Sequence, residues 1–207
     1  MARSLLQLLA LVLLAAPMGA TEPATAGAVA TARAERAAQM TKLRAAYAAS
    51  PQYHPYDTES RELVASAREH LAKKKSARAI ADAQKGLKNA PFNIDLLVVL
   101  ELAYRDAGES TKADETNARW KSIVDSILET GDGRSFDTAF QVIDIADEYA
   151  VIRAMQLTPA GQSLNSNGRA MFDVIKVTSP KTGETFELYF NINLPMNWMN
   201  RQFATQR

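Results

Sequence analysis

SARAIADAQKGLKNAPFNIDLLVVLELAYRDAGESTKA, residues 76–113, is the stretch that decides the fold. Ala79, Ala83 and Leu87 share one helical face, Pro91 breaks that helix, and Asn93 is suited to cap the next one. Phe92 and Leu97 stand at the two positions of a hydrophobic staple. Leu96, Leu97, Val99, Leu100, Ala103 and Tyr104 make Ile94 to Ala107 apolar on most of its circumference. That pattern predicts the most buried helix of the molecule. Gly108 then turns the chain, and Ala113 begins another apolar stripe.

The recurrence of Ala79-Ile80, Leu87, Pro91, Tyr104, Gly108 and Ala113 resembles tetratricopeptide units of about 34 residues. Such helix pairs bind other proteins far more often than they do chemistry. Neighbouring segments continue the pattern. Thr58 is placed to cap a helix with Glu59 and Glu62 in its first turn and Leu63, Ala67 and Leu71 on its buried face. Thr111 to Glu129 predicts a long helix with Trp120, Ile123 and Ile127 inward, stopped by Gly131. Upstream, Ala32 to Ala49 predicts a helix with Met40, Leu43 and Tyr47 as its stripe, and Thr21 to Thr31 reads as a flexible leader. Ser50-Pro51 and Tyr53-His54-Pro55-Tyr56-Asp57 make an extended connector.

At Gly131 the hydrophobic period changes from 3.6 to 2. Phe140, Val142 and Asp144 alternate with Gln141, Ile143 and Ile145 as a strand, and Asp147 to Leu157 predicts a short helix ended by Thr158-Pro159-Ala160-Gly161. Asn167-Gly168 signals a two-residue hairpin between a short strand at Gln162 to Asn165 and a longer one at Ala170 to Val177. Phe186, Leu188, Phe190 and Ile192 alternate along a further strand, and Pro195 opens a closing helix striped by Met196, Met199 and Phe203. The expected class is α+β: helical hairpins followed by a β-α-β-β-β-α unit with a small, mostly antiparallel sheet. Residues 1–26 read as a signal peptide, 27–130 as the helical tetratricopeptide-like region and 131–207 as the α+β region. The last two are expected to fold as one unit.

Composition narrows the function classes. The chain is 47% hydrophobic and 23% charged with a net charge of +1, which leaves no electrostatic footprint for nucleic acid or an anionic membrane. It has no cysteine, so disulfides, thiolate metal sites and cysteine nucleophiles are excluded. Arg3 followed by the apolar run Leu5 to Ala16 has the form of a secretory signal, too short for a spanning helix of about 20 residues. Cleavage is bracketed to residues 20–28, the mature chain starting between Thr21 and Val29, and the product is expected to be periplasmic or secreted.

Several short motifs carry a family resemblance. They are Thr130-Gly131-Asp132-Gly133, Thr138-Ala139-Phe140, Asp147-Glu148-Tyr149, Gln162-Ser163-Leu164, Thr182-Gly183 and Leu188-Tyr189-Phe190-Asn191-Ile192 with Pro195-Met196. With the Tyr53-His54-Pro55-Tyr56 connector they resemble the bacterial domain of unknown function 4919 family, over roughly Pro51 to Phe203. The resemblance implies an exported bacterial protein whose helices and sheet recur as one unit. It implies no activity.

No catalytic, cofactor or metal residue stands out. His54 and His70 lack metal-ligand spacing, Ser163 lacks the glycines of a nucleophile elbow, and Asp132 with its two glycines is too short for a phosphate loop. Asp144, Asp147 and Glu148 form an acidic cluster that would suit calcium, yet the spacing is not that of an EF-hand and helix N-termini attract acids anyway. Lys73 to Lys75, with Arg78, Lys85 and Lys88, reads as a solvated face or as a surface for an acidic partner. Two functions remain: an exported non-catalytic module that binds a protein or peptide of the cell envelope, or a small envelope hydrolase or ligand-binding domain with its site between helices and sheet. For the first, the register set by Pro91 and Gly108 places Arg61, Val64 and Arg68, then Asp95, Val98, Leu102 and Arg105, along the inner faces of successive hairpins. The partner-binding residues are therefore expected to be Arg61, Arg68, Asp95, Leu102 and Arg105, the arginines forking onto a carboxylate.

Overall fold

The structure is a computed structural model that describes residues 25–204. The signal-peptide reading therefore falls almost wholly outside the described residues. Five helices come first: α1 (Ala26–Ala48), α2 (Thr58–Ala72), α3 (Ser76–Asn89), α4 (Ile94–Asp106) and α5 (Ser110–Leu128). Then follow β1 (Phe140–Gln141), α6 (Ile145–Ala154), β2 (Thr158–Ser166), β3 (Met171–Thr178), β4 (Thr185–Asn191) and α7 (Asn193–Ala204). The chain is thus α+β, with two helical hairpins, α2/α3 and α4/α5, ahead of a four-stranded sheet.

Small residues let the helices approach. Ala67, Ala79, Ala83, Ala103 and Ala113 are completely buried. A Cβ on Gly86 would stand 2.6 Å from a Leu96 methyl, so the α3–α4 contact depends on that glycine. Asn93 caps α4 by accepting the Leu96 N–H at 3.0 Å. Glu101, buried on α4, accepts Trp120 Nε1 at 2.7 Å and Asn117 Nδ2 at 2.9 Å, tying α4 to α5.

In the sheet the order is β1-β4-β3-β2, with β1 parallel to β4 and the other pairs antiparallel. One face carries Ile175, Val177, Leu188 and Phe190 into a buried cluster with Ile94 and Leu97 of α4, Ile123 and Ile127 of α5, and Val151 of α6. Both halves of the chain supply this cluster. It has no boundary at Gly131.

Several sequence expectations need correction. Ala26 to Thr31 is not a leader but the start of α1: Thr25 caps it, alanine favours it, and Arg33 ties it to Asp125 of α5 at 2.5 Å. The buried line of α1 is Ala37 and Arg44, while Leu43 is exposed, because the close contact with α5 needs a small residue. Asp57, not Thr58, caps α2. The strand after Gly131 is two residues long, because the N–H groups of Ile143 and Asp144 turn to the Asp147 carboxylate instead of a neighbouring strand. Consequently α6 begins at Ile145 with Asp144 as its cap.

Further along, Gln156 takes φ +58° and ends the helix early, so Thr158 to Gly161 joins β2, with a bulge where Pro159 has no N–H to give. The hairpin loop is four residues, 167–170, not two. Asn167 Oδ1 accepts the N–H groups of Arg169 and Ala170, leaving only Gly168 with positive φ. Phe203 is exposed, so the inward stripe of α7 is limited to its first turns.

The shared cluster yields a test. A fragment from Thr130 to Arg207 expressed alone exposes the sheet face that α4 and α5 cover, and a unit of that size buries little surface. It is expected to show no cooperative thermal transition by circular dichroism. A cooperative melt with protected amides would mean the sheet unit stands by itself.

Candidate functional site

Asp147 and Glu148 are consecutive on α6, so their side chains leave the helix about 100° apart. Each reaches a different side of the fold. Asp147, 2% exposed, accepts Arg44 Nη2 of α1 at 2.6 Å and the N–H of Ile143 at 3.1 Å. Arg44 is itself buried, and its Nη1 donates to Ser126 Oγ of α5 at 3.3 Å, while its Nε has no partner. Asp144 completes a capping box by accepting the Ala146 N–H at 2.8 Å. Burial, and the Asp147 carboxylate beside it, raise the Asp144 carboxyl above the ordinary range. Tyr53 of the connector donates to the carbonyl of Ile143 at 2.6 Å, and burial pushes its hydroxyl up.

This junction ties the N-terminal end of α6 to α1, with α6 packed on α4 and facing α2, the first helices of the two hairpins. Between them lies a cleft of about 430 Å³, whose walls include Tyr56, Arg61, Asp95, Asp144, Tyr149 and Arg153. Asp95, at the start of α4, accepts Arg68 at 2.8 Å and Arg153 of α6 at 2.5 Å. Arg61 is exposed and, among the described residues, donates only to the Tyr56 carbonyl, at 3.3 Å. Among the described residues no carboxylate lies within ion-pair distance of its guanidinium, although its charge reaches Asp144 across the cleft, so most of its donors remain for a ligand.

The expected partner-binding residues divide. Arg61, Arg68 and Asp95 are brought together at the cleft. Leu102 is exposed elsewhere on α4, and Arg105 is bound to Glu101 and Asp114, both at 3.0 Å, away from the cleft walls. Val64 is mostly buried in the helical core and contributes to the cleft wall. Arg153 and Arg44 were not legible as site residues, because their partners lie on distant segments.

Behind the cleft is a second arrangement. Glu148 is completely buried and faces Asp173 of β3, itself 7% exposed. Burial above all, with the charge and hydrogen bond of Asp173, pushes the Glu148 carboxyl up to about 9. Burial and the charge of Asp173 push the Tyr56 hydroxyl up as well. The Tyr56 ring centroid is 5.9 Å from that of Trp198, and His54 lies edge-on to Trp198 at 4.5 Å. Trp198 is thus half-buried against the connector. Asp173 did carry a sequence signal: it is a charge at an inward position of β3, in line with Ile175 and Val177.

His70 Nδ1 pairs with Asp82 at 2.8 Å, far in role from His54. The acidic cluster of α6 is dispersed among these partners, and among the described residues no group of three or more His, Asp or Glu could hold a metal ion. Three lysines of the solvated face pair within the chain, Lys73 with Glu69, Lys74 with Asp106 and Lys85 with Glu59.

The sign of the Glu148 shift gives a pH prediction. A folded-state value raised above the ordinary glutamate value stabilises the fold fully below about 4.5, and that stabilisation is lost as pH rises towards about 9. Urea denaturation is expected to show wild type weakening between pH 5 and 9. Glu148→Gln should flatten that slope and be the more stable protein at pH 9, by about 1–3 kcal/mol. An unchanged slope in the variant would place the titration elsewhere.

Neither the curated proteins nor the solved structures contain a match to this chain. The family model of the domain of unknown function DUF4919 matches residues 36–201, which spans α1 from its middle, the cleft, the buried carboxyl pair and α7 as far as Arg201. The chain belongs to the DUF4919 family.

Proposed function

We propose that this protein is an exported, non-catalytic interaction module of the bacterial cell envelope. It takes a protein or peptide segment in the cleft between the helical hairpins and α6. The observation that carries this reading is Arg61: an exposed guanidinium that forms no ion pair among the described residues, at the mouth of a cleft already ordered by the Arg68–Asp95–Arg153 bridge. A partner carboxylate at Arg61 satisfies donors that the fold leaves open, in the forked geometry that arginine favours. Tyr56 and Tyr149 supply apolar area with polar tips for the rest of the segment. Because the cleft is open in the unbound chain, docking needs no rearrangement of the helices. Export rests on the apolar Leu5 to Ala16 run after Arg3.

The probe is acetyl-Ala-Ala-Ala-norleucine, as the free acid and as the amide, titrated by NMR. The free acid is expected to shift cleft resonances saturably, and the amide to bind about tenfold more weakly. Arg61→Ala should impose the same loss on the acid while changing stability by less than about 0.5 kcal/mol. Equal binding of acid and amide, or undiminished binding by Arg61→Ala, removes the reading. Intact mass of the exported protein tests the compartment: retention of residues 1–20 contradicts it.

A further inference from the structure

Of the acids buried around α6, Asp147 is answered by Arg44 and Asp144 by the helix it caps. Glu148 is answered by no basic group. It is completely buried, and among the described residues its carboxyl has no partner other than the acid Asp173. Its neighbour is another acid, Asp173, and two acids bond to one another only by sharing a proton. A carboxyl pair in an apolar interior with no cation beside it is costly.

What surrounds the pair points to the missing group. Tyr56 lies within reach of the charges of Asp173 and Glu148, which raise its hydroxyl, and it also lines the cleft. Trp198 packs against Tyr56 and His54 and belongs to α7, a helix whose one fully buried residue is Pro195. Carboxyls accept ammonium hydrogen bonds and aromatic ring faces attract positive charge, so the acid pair and these neighbouring rings offer the chemistry that an organic cation needs.

We propose that Glu148 and Asp173 receive a lysine ammonium from the segment docked in the cleft, entering between Tyr56 and Trp198. This rests on the reading of the cleft as a peptide groove and names the side chain that the groove selects. A carboxylate held at Arg61 and an ammonium held at the pair are then two ends of one ligand, a chain ending in lysine. The ammonium replaces the shared proton as the positive charge between the acids, so Glu148 releases its proton to solvent as the cation enters. Tyr56 and Trp198 must swing aside for entry, which the lightly buried α7 permits.

The test compares acetyl-Ala-Ala-Ala-lysine with the norleucine peptide, which has the same chain without the ammonium, on the full chain by calorimetry and NMR. On wild type the lysine peptide is expected to bind at least about tenfold more tightly, with heat that varies with the buffer's ionisation enthalpy because a proton is released. The double variant Glu148→Gln/Asp173→Asn should bind the norleucine peptide unchanged and lose the lysine preference. Equal affinity for the two peptides on wild type, or a preference that survives in the double variant, overturns the inference. Absence of saturable binding by either peptide overturns it as well. The lysine peptide amide separates the two readings: if it still binds and still depends on Glu148 and Asp173, the cation site stands without the Arg61 carboxylate site. If the acid requirement holds but lysine and norleucine bind alike, the groove stands and the cation site falls. Should the double variant unfold, Glu148→Gln alone, expected to be the more stable at pH 9, carries the same comparison.

Discussion

The arrangement of this molecule depends on one buried ion pair, Arg44 of α1 with Asp147 of α6. Both side chains are at least 95% buried, and Asp147 also holds the N–H groups of Ile143 and Asp144. A buried pair of this kind adds little net stability over well-packed apolar residues, because its desolvation opposes its attraction. Its consequence is positional. An arginine that must find its acid, and an acid that must find its arginine, fix where α6 meets the helical hairpins. They also stop β1 after two residues, since the N–H groups that would extend it are already taken.

From that position the rest follows by helix geometry. With Asp147 turned to α1, Glu148 is turned to β3 and meets Asp173, while Tyr149 and Arg153 face the cleft. Arg153 then reaches Asp95 of α4, adding a surface bridge that screens readily and orders the cleft wall more than it stabilises the fold. The cleft and the carboxyl pair are therefore two sides of one docked helix. A ligand that touches both would feel α6 as a common wall.

Much of the helical half is legible in its residues. Alanines at close contacts, the Asn93 cap and the apolar circumference of α4 are local signals, and they place Arg61, Arg68 and Asp95 on facing helices. What is not legible is what covers that face. Arg44 and Asp147 stand 103 residues apart, and no periodicity in either segment announces the other. The same limit explains the register of α1, where an arginine and an alanine rather than Leu43 turn inward. In the sheet, local turn chemistry overrode simple pattern: Asn167 bonding its own loop made four residues where two were expected, and Gln156 at positive φ released Thr158 to Gly161 into β2. Asp173 was readable as a charge on the inward face of β3, but its partner on α6 was not.

The most direct test of this account is a double-mutant cycle on the pair, using Arg44→Met and Asp147→Asn with urea denaturation. Arg44→Met leaves a buried acid unpaired and is expected to cost about 3–5 kcal/mol. Combining the two substitutions should cost less than the sum of the single losses by more than about 1 kcal/mol, since each removes the same interaction. Losses that add within about 0.5 kcal/mol would show that the two residues do not hold α6 to the helical half, and would contradict the account.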